Sequence, residues 1–153
     1  LKRFRPRQRS ARPPPTPPGI SFLAMPPQTG QPDQAEAEKK FNAALESLSS
    51  MVKTEPCLIF STTVCPWCTK ASDFFAKLDR PCRKIELDQP AGDQDQQFLG
   101  MALGMATRQR TVPNIFISGK HIGGYDRLMM VYQQCKDGAM PSEHQDVCRA
   151  FTG

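Results

Sequence analysis

The sequence predicts an α/β fold in which helices flank a mixed four-stranded sheet. Short apolar runs of strand length alternate along the chain with longer stretches in which apolar residues recur every three or four positions. A helix between two strands requires a right-handed crossover to a parallel neighbour, whereas the tight turn Ser118-Gly119-Lys120 makes the last two strands antiparallel. The length of 153 residues suits one hydrophobic core.

The first 34 residues differ in composition from the rest of the chain. Nine of the 15 prolines lie between Pro6 and Pro32, and this segment carries the whole net charge of +5, because the acidic and basic residues that follow it cancel. Such a segment cannot form a core, so we expect a disordered, basic, Pro-rich N-terminal tail over residues 1–34 and a folded domain over residues 35–153. Two other interpretations are an organelle-targeting peptide and a translation start at Met25, which would leave residues 1–24 outside the native protein.

Composition also limits the classes of partner. No apolar run reaches the roughly 18 residues that cross a bilayer, so no membrane partner is expected. The basic charge is confined to the tail, which gives no reason to expect nucleic acid as a partner. Six unevenly spaced cysteines do not form the disulfide framework of a small secreted protein, so we expect a reducing compartment, the cytoplasm. We also expect the protein to be a monomer. A mitochondrial or other organelle location follows only if the tail is a targeting peptide.

The individual elements are predicted from periodicity and from end signals. A first helix is expected with Asp33 as its cap. Its apolar face consists of Phe41, Leu45, Leu48 and Val52. The elements that follow are predicted as a strand over residues 57–61, a helix from 65 to about 80, a strand over 82–87, a helix over 93–105, a strand over 113–117, a short strand from 121, a helix through 128–135 and a short helix over 142–151.

A pair of cysteines lies where the first strand ends and the second helix begins, in the sequence Cys65-Pro66-Trp67-Cys68. The free N–H groups and the positive end of a helix favour a thiolate at Cys65, while Cys68 lies one turn inside the helix. Cys65 is therefore the expected nucleophile and Cys68 the resolving thiol. Pro66 suits the first helical position, and Trp67 is expected to cover the edge of the site rather than fill the core.

Two other interpretations of the cysteine pair are weaker. A purely structural disulfide across so short a loop removes little chain entropy. A structural zinc ion needs four ligands, and the candidates outside the pair, Cys135, His144 and Cys148, form no second Cys-x-x-Cys. The sequence therefore favours thiol–disulfide exchange.

Three segments in this order resemble the signatures of the dithiol glutaredoxins. They are Cys65–Cys68, which would be a Cys-Pro-Trp-Cys variant of the active site, Thr111-Val112-Pro113 before a strand, and Gly123-Gly124-Tyr125-Asp126 before a helix. The resemblance covers about residues 35–153 and implies the thioredoxin fold. It also implies an oxidoreductase that uses glutathione as co-substrate, without a metal, to reduce disulfide-containing or glutathionylated proteins.

The resemblance also implies which residues bind glutathione. A cis peptide bond is expected before Pro113, with the backbone of Val112 pairing with the cysteine of glutathione. The amides of Tyr125 and Asp126 would hold the γ-glutamyl carboxylate. The complete set implied in this way is Trp67, Arg110, Thr111, Val112, Pro113, Gly124, Tyr125 and Asp126.

Two positions depart from the family pattern. Thr62 stands where the family usually has a lysine, which helps to ionise the nucleophile and binds the C-terminal carboxylate of glutathione. Arg110 is the preferred substitute for this cation, ahead of Lys70 and Arg108. Gly100 stands at the position of a family glutamine.

An iron–sulfur cluster carrier is the main alternative function, because related glutaredoxins hold a cluster with thiolates and glutathione across a dimer. Pro66 and the presence of Cys68 argue against it. The remaining cysteines are expected to be core or surface thiols, with a Cys57–Cys148 bridge as an accessory alternative. These remaining cysteines are Cys57, Cys82, Cys135 and Cys148.

Overall fold

The computed structural model describes residues 34–90 and 95–152. The elements are α1 (Gln34–Thr54), β1 (Cys57–Ser61), α2 (Pro66–Lys77), β2 (Arg83–Glu86), α3 (Gln96–Thr107), β3 (Asn114–Ile117), β4 (Lys120–Gly123), α4 (Tyr125–Lys136), a 3-10 turn (Ser142–His144) and α5 (Gln145–Thr152). Residues 1–33 of the predicted tail, including the predicted cap Asp33, lie outside the described residues. Within the described part of the chain, no helix is both long enough and apolar enough to span a membrane.

The strands form one sheet in the order β2-β1-β3-β4. β1 and β2 are parallel and are connected through α2, whereas β1 pairs with β3, and β3 with β4, in the antiparallel sense. Every residue of the two central strands, β1 and β3, is buried, because helices cover both faces of the sheet. The mixed four-stranded sheet flanked by helices is therefore confirmed.

The ends of some helices differ from the predictions by a few residues. α3 begins at Gln96, because the carboxylate of Asp95 caps it by accepting the N–H groups of Gln97 and Phe98 at 3.1 and 3.4 Å. α3 also continues to Thr107, two residues beyond its predicted end. The last predicted helix is divided into the 3-10 turn and α5. The order of the elements is unchanged.

Apolar side chains pack against both faces of the sheet. On one face, α1 and α3 cover Leu58 and Phe60 of β1. On the other face, α2, α4 and α5 cover Cys57 and Ile59. Alternate residues of a strand lie on opposite faces, so the apolar run of β1 serves both cores. The helices that follow the cysteine pair and the Gly-Gly pair, α2 and α4, therefore lie on the same face.

The six cysteines form three disulfides, and the described residues contain no free thiol. The bonds are Cys57–Cys82, Cys65–Cys68 and Cys135–Cys148. The expectation that the four cysteines outside the motif are thiols is wrong, and so is the alternative bridge between residues 57 and 148. The same bonds exclude Cys135 and Cys148 as free zinc ligands in this structure.

The packing of the elements explains these two additional bonds. Cys57 is the first residue of β1 and Cys82 directly precedes β2, and the parallel register of the two strands places their Cα atoms 4.7 Å apart. Cys135 on α4 and Cys148 on α5 have Cα atoms 5.3 Å apart. Both separations suit a disulfide. Neither the strand register nor the contact between the helices is visible in the spacing of cysteines along the sequence.

Candidate active site

The pair Cys65–Cys68 lies at the junction between β1 and α2. Cys65 is the N-cap residue of α2 and Pro66 occupies its first position. The Sγ atom of Cys65 accepts the N–H of Cys68 at 3.1 Å. Cys65 is half-buried, whereas Cys68 is only 1% exposed. The two sulfur atoms are bonded to each other, and the outer sulfur is the one that an incoming thiol reaches first.

The start of α2 favours a negative charge on the outer sulfur once the pair is reduced. The N–H of Cys68 already donates to Sγ of Cys65, and the first turn of α2 contains no acidic residue. The N-terminus of a helix also carries a partial positive charge, which stabilises a thiolate more than a thiol. Lys70 adds a cation on the same helix, with its Nζ 4.0 Å from the centre of the Trp67 ring.

A carboxylate holds the turn that precedes the nucleophile. Both oxygens of Asp88 accept the N–H of Thr63 at 3.0 Å, and one of them also accepts its hydroxyl at 2.6 Å. These hydrogen bonds hold the pKa of Asp88 below its ordinary value. The bond from the Thr63 hydroxyl has the largest effect, and the backbone bonds have a smaller one. Asp88 follows β2, so this contact joins the loop after β2 to the loop after β1.

A groove of about 430 Å³ lies beside Trp67. Its lining residues are Trp67, Gln109, Thr111, Val112, Pro113, Gly124, Tyr125, Asp126 and Arg127. Trp67 is 49% exposed, and its ring centroid lies 5.6 Å from that of Tyr125. Trp67 therefore covers the edge of the site, as predicted. The groove brings residues of all three sequence motifs together.

The loop before β3 presents unpaired backbone groups to this groove. The Val112–Pro113 peptide bond is cis, as the resemblance implied. Nε2 of Gln109 donates to the carbonyl oxygens of Thr111 and Pro113, both at 2.9 Å. Between these carbonyls, the N–H and the C=O of Val112 make no hydrogen bond with any residue that the structure describes. The groove thus contains a short free backbone edge.

The start of α4 forms another wall of the groove. Gly124 is its N-cap residue, and no side chain caps the helix. Gly123 has a φ of +115°, and a Cβ atom there would lie 3.3 Å from Cβ of Arg127. The glycine therefore permits a turn and a close approach that another residue would not. The amides of Tyr125 and Asp126 lie at the positive end of the helix, where an anion is stabilised.

Arg110 is the one predicted glutathione-binding residue that does not line the groove. It lines a second depression of about 660 Å³, which is formed by Gln97, Gly100, Met101, Gly104, Met105, Arg108 and Arg110. Two further residues that line the groove, Gln109 and Arg127, are not among those predicted from the sequence. The sequence could have indicated them only through their closeness to the motifs, because Gln109 stands two positions before Thr111 and Arg127 directly follows Asp126.

The residues at the site can carry out thiol–disulfide exchange and can bind a peptide backbone and an anion. Among the residues that the structure describes, no group of three or more His, Cys, Asp or Glu side chains is arranged to hold a metal ion. The reactive groups beside the groove are the two cysteines of the motif, and the groove itself offers backbone donors and a carbonyl acceptor.

Comparisons with known proteins identify the family. The glutaredoxin family model matches residues 57–122. Glutaredoxin-C6 of Oryza sativa subsp. japonica is 39% identical over 93 residues, which are 61% of this chain and 80% of that protein. Glutaredoxin-C4 of Arabidopsis thaliana is 32% identical over 114 residues, which are 74% of this chain and 75% of that protein. The chain belongs to the glutaredoxin family.

Solved structures agree with this assignment. The buckwheat glutaredoxin–glutathione complex matches this glutaredoxin with a TM-score of 0.60 and 35% identity, over 75% of this chain and 93% of the other. Wheat glutaredoxin matches with a TM-score of 0.56 and 38% identity, over 63% of this chain and 88% of the other. The thioredoxin fold is thus confirmed, and this glutaredoxin is a thiol–disulfide oxidoreductase.

Proposed function

We propose that this glutaredoxin is a dithiol enzyme of the Cys-Pro-Trp-Cys type, which uses glutathione to reduce protein disulfides and glutathione mixed disulfides. The observation that supports this proposal best is that the unpaired backbone of Val112 and the uncapped start of α4 line one groove beside Trp67. Glutathione has both a peptide backbone and a free α-carboxylate, so it is complementary to both features. The buckwheat glutaredoxin, which is similar to this chain, was solved as a complex with glutathione.

In the proposed complex, each part of glutathione has a partner in the groove. Its cysteine pairs with the backbone of Val112 as a short strand does, and its γ-glutamyl carboxylate accepts the amides of Tyr125 and Asp126. Arg127 supplies the positive charge within the groove, because Arg110 lies outside the lining. Trp67 closes the side next to the cysteine pair.

Reduction of a glutathione mixed disulfide takes two exchange steps. The thiolate of Cys65 attacks the glutathione sulfur, so that a Cys65–glutathione disulfide forms and the protein thiolate leaves and takes up a proton. The thiolate of a second glutathione then attacks the glutathione sulfur on Cys65. Glutathione disulfide is released and the Cys65 thiolate is regenerated. Each turnover therefore consumes one free glutathione, and the other half of the glutathione disulfide comes from the substrate.

Reduction of a protein disulfide uses both cysteines of the motif. Cys65 attacks one protein sulfur to form a mixed disulfide, and Cys68 then attacks Cys65. The protein dithiol is released and the Cys65–Cys68 bond forms. Two molecules of glutathione reduce this bond in two further exchanges. This cycle requires one copy of the chain and no metal ion, so we propose that the enzyme acts as a monomer with glutathione as its co-substrate.

Substitution of each cysteine of the motif tests this function. With a glutathionylated peptide, glutathione and glutathione reductase, Cys65→Ser is expected to lower kcat/KM below detection, because the remaining thiol of the motif, Cys68, is only 1% exposed. Cys68→Ser is expected to retain most of this activity and to lose the reduction of protein disulfides. The matched control is Cys135→Ser/Cys148→Ser, which removes a cysteine pair outside the groove and should remain active. Full activity of Cys65→Ser would contradict the mechanism.

We also propose that the enzyme acts in the cytoplasm, where reduced glutathione is abundant and can return the Cys65–Cys68 bond to the dithiol. The test is the location of the full chain fused at its C-terminus to a fluorescent protein, compared with a fusion that lacks residues 1–33. Cytoplasmic fluorescence from both fusions is expected. Accumulation of the full chain in an organelle, lost when residues 1–33 are removed, would overturn this location.

A further inference from the structure

We infer that Gln109 is a positioning residue, which holds the segment Thr111–Pro113 so that the backbone of Val112 is available to pair with the peptide backbone of the substrate. This inference rests on the proposed function, because it concerns how glutathione and the peptide chain attached to it are bound. It adds to that function a residue that lies outside the three sequence motifs.

The first observation is that both donors of the Gln109 amide are in use. The side chain is half-buried and lines the groove. Its Nε2 atom donates to the carbonyl oxygens of Thr111 and Pro113, each at 2.9 Å. A primary amide has two N–H donors, so one is available for each carbonyl. Gln109 therefore binds the carbonyls on both sides of Val112.

Because peptide bonds are planar, the hydrogen bond from Gln109 to the Thr111 carbonyl also fixes the direction of the Val112 N–H. The carbonyl of Thr111 and the N–H of Val112 belong to one trans peptide plane, in which they point in opposite directions. A Thr111 carbonyl that is held by Gln109 therefore directs the N–H of Val112 away from Gln109. The second hydrogen bond fixes the carbonyl of Pro113 and with it the peptide plane that enters β3.

The second observation is that Val112 retains unused hydrogen-bonding capacity. Its N–H and C=O have no partner among the described residues, whereas the carbonyls on either side of it are satisfied. A peptide that binds as an additional antiparallel strand exchanges two hydrogen bonds with one residue of its neighbour. Val112 provides one such residue, and without Gln109 the loop would be free to turn its N–H elsewhere.

The third observation is that Gln109 is itself held by the protein interior. Its backbone N–H donates to Oγ1 of Thr107, the last residue of α3, at 3.2 Å. The same hydroxyl accepts the side-chain amide of Asn114, which is fully buried at the start of β3, at 3.0 Å. On the far side, a Cβ atom at Gly123 would lie 3.7 Å from Oε1 of Gln109. The position of Gln109 is thus set by the end of α3 and the start of β3, and the absence of a side chain at Gly123 leaves room beside it.

The test compares two disulfides in single-turnover reactions of the reduced full-length protein. A glutathionylated peptide presents a backbone to Val112, whereas bis(2-hydroxyethyl) disulfide has no peptide group. Gln109→Met keeps the length of the side chain and removes both donors. Gln133→Met is the matched control, because Gln133 on α4 likewise donates its amide, in its case to the exposed carboxylate of Asp137.

Gln109→Met is expected to lower the second-order rate constant for the glutathionylated peptide about tenfold, mainly through a higher half-saturating concentration, because binding must then order the loop. The rate with bis(2-hydroxyethyl) disulfide should change less than about twofold, and Gln133→Met should leave both rates unchanged. Gln109→Glu also lacks a donor at neutral pH, so it should give the same difference and serves as the test if the methionine variant does not fold.

If Gln109→Met lowers the rate constants for both substrates by the same factor, Gln109 only maintains the fold. That result would overturn the inference. An unchanged rate with the glutathionylated peptide would overturn it as well. If the wild-type protein itself shows no saturation with the glutathionylated peptide, the proposed function is overturned and this inference with it. Saturation of the wild type without any effect of Gln109→Met would leave the proposed function intact and remove only the role of Gln109.

Discussion

Thr62 leaves the nucleophile without a cation in the turn that precedes it. The carbonyl of Thr62 accepts the N–H of Cys65 at 3.2 Å, so the residue lies directly before the reactive sulfur. The positive field at Cys65 therefore comes from the start of α2, supplemented by Lys70 above the Trp67 ring. A lysine in the place of Thr62 would add a full charge to this field.

Thr62→Lys is expected to ionise Cys65 at a pH about one unit lower, because a nearby cation stabilises the thiolate more than the thiol. The measurement is the rate of alkylation by iodoacetamide between pH 4 and 9, in a Cys68→Ser background so that only one thiol of the motif reacts. Thr62→Met, which has a similar length and no charge, is the control. Identical pH profiles for the lysine and methionine variants would contradict the prediction.

The loop that connects β1 to α2 depends on a neighbouring element for its shape. β1 and β2 are parallel neighbours, so the loops that follow them leave the same edge of the sheet. Thr63 lies in the first of these loops and Asp88 in the second, and their hydrogen bonds span 25 positions of sequence. The loop that positions Cys65 is therefore held in place by the end of β2.

The contribution of Asp88 is expected to depend on pH. Its pKa in the folded protein lies below the ordinary value of 3.8, because the carboxylate accepts hydrogen bonds from Thr63. A carboxyl group of this kind stabilises the fold above its unfolded-state pKa, and this stabilisation is lost as the pH falls through the folded-state value. Asp88→Asn should therefore lower the free energy of unfolding at pH 7 and differ less from the wild type near pH 3.

Urea unfolding at pH 7, 5 and 3 measures this difference. Asp137→Asn is the control, because Asp137 accepts its side-chain hydrogen bonds from Gln133 within the same region of α4 and does not contact the active-site loop. A difference between Asp88→Asn and the wild type that is the same at all three pH values would show that the charge of Asp88 is not the cause.

At the scale of the whole molecule, two disulfides stabilise the face of the sheet on which α2 and α4 lie. Cys57–Cys82 closes a segment that contains all of α2 and the reactive pair, with a sequence separation of 25. Cys135–Cys148 joins α4 to α5 across a separation of 13. A disulfide restricts the unfolded chain more than the folded one, so each bond raises the free energy of unfolding.

Removal of Cys57–Cys82 by alanine at both positions is expected to lower the free energy of unfolding by about 3 kcal/mol, the amount that closing a loop of this size contributes. The measurement is urea unfolding without reductant, followed by an activity assay with a glutathionylated peptide under native conditions. Cys135→Ala/Cys148→Ala is the comparison, and its shorter loop predicts a slightly smaller loss. An unfolding midpoint equal to that of the wild type would contradict the prediction.

The order of the elements and the position of Cys65 could be predicted because their signals are local. The apolar run of β1 and the helical spacing after Pro66 are properties of short windows, and the cap position of Cys65 follows from where they meet. The sheet topology then follows from general rules for crossovers and tight turns. These rules do not depend on how individual side chains pack.

The disulfides and part of the groove could not be predicted because they depend on the side of an element on which a residue lies. Arg110 precedes Thr111 in the sequence, yet Gln109 and Thr111 line the groove while Arg110 lines the second depression. The side of this loop on which each residue lies is set by contacts within the folded chain, so sequence adjacency does not show which neighbour of the motif lines the groove. Likewise, Cys57 meets Cys82 only through the register of two parallel strands.

The place of Trp67 also makes this glutaredoxin its own optical reporter. It is the single tryptophan of the chain, it stands between the two reactive cysteines, and its ring lies beside that of Tyr125 at the groove. All indole emission of the protein therefore originates within the active site. Disulfides quench indole fluorescence on contact, and a bound tripeptide would change the solvent around the ring. The redox state of the pair and the occupancy of the groove can consequently be followed in unlabelled protein, by exciting the indole at a wavelength that tyrosine hardly absorbs.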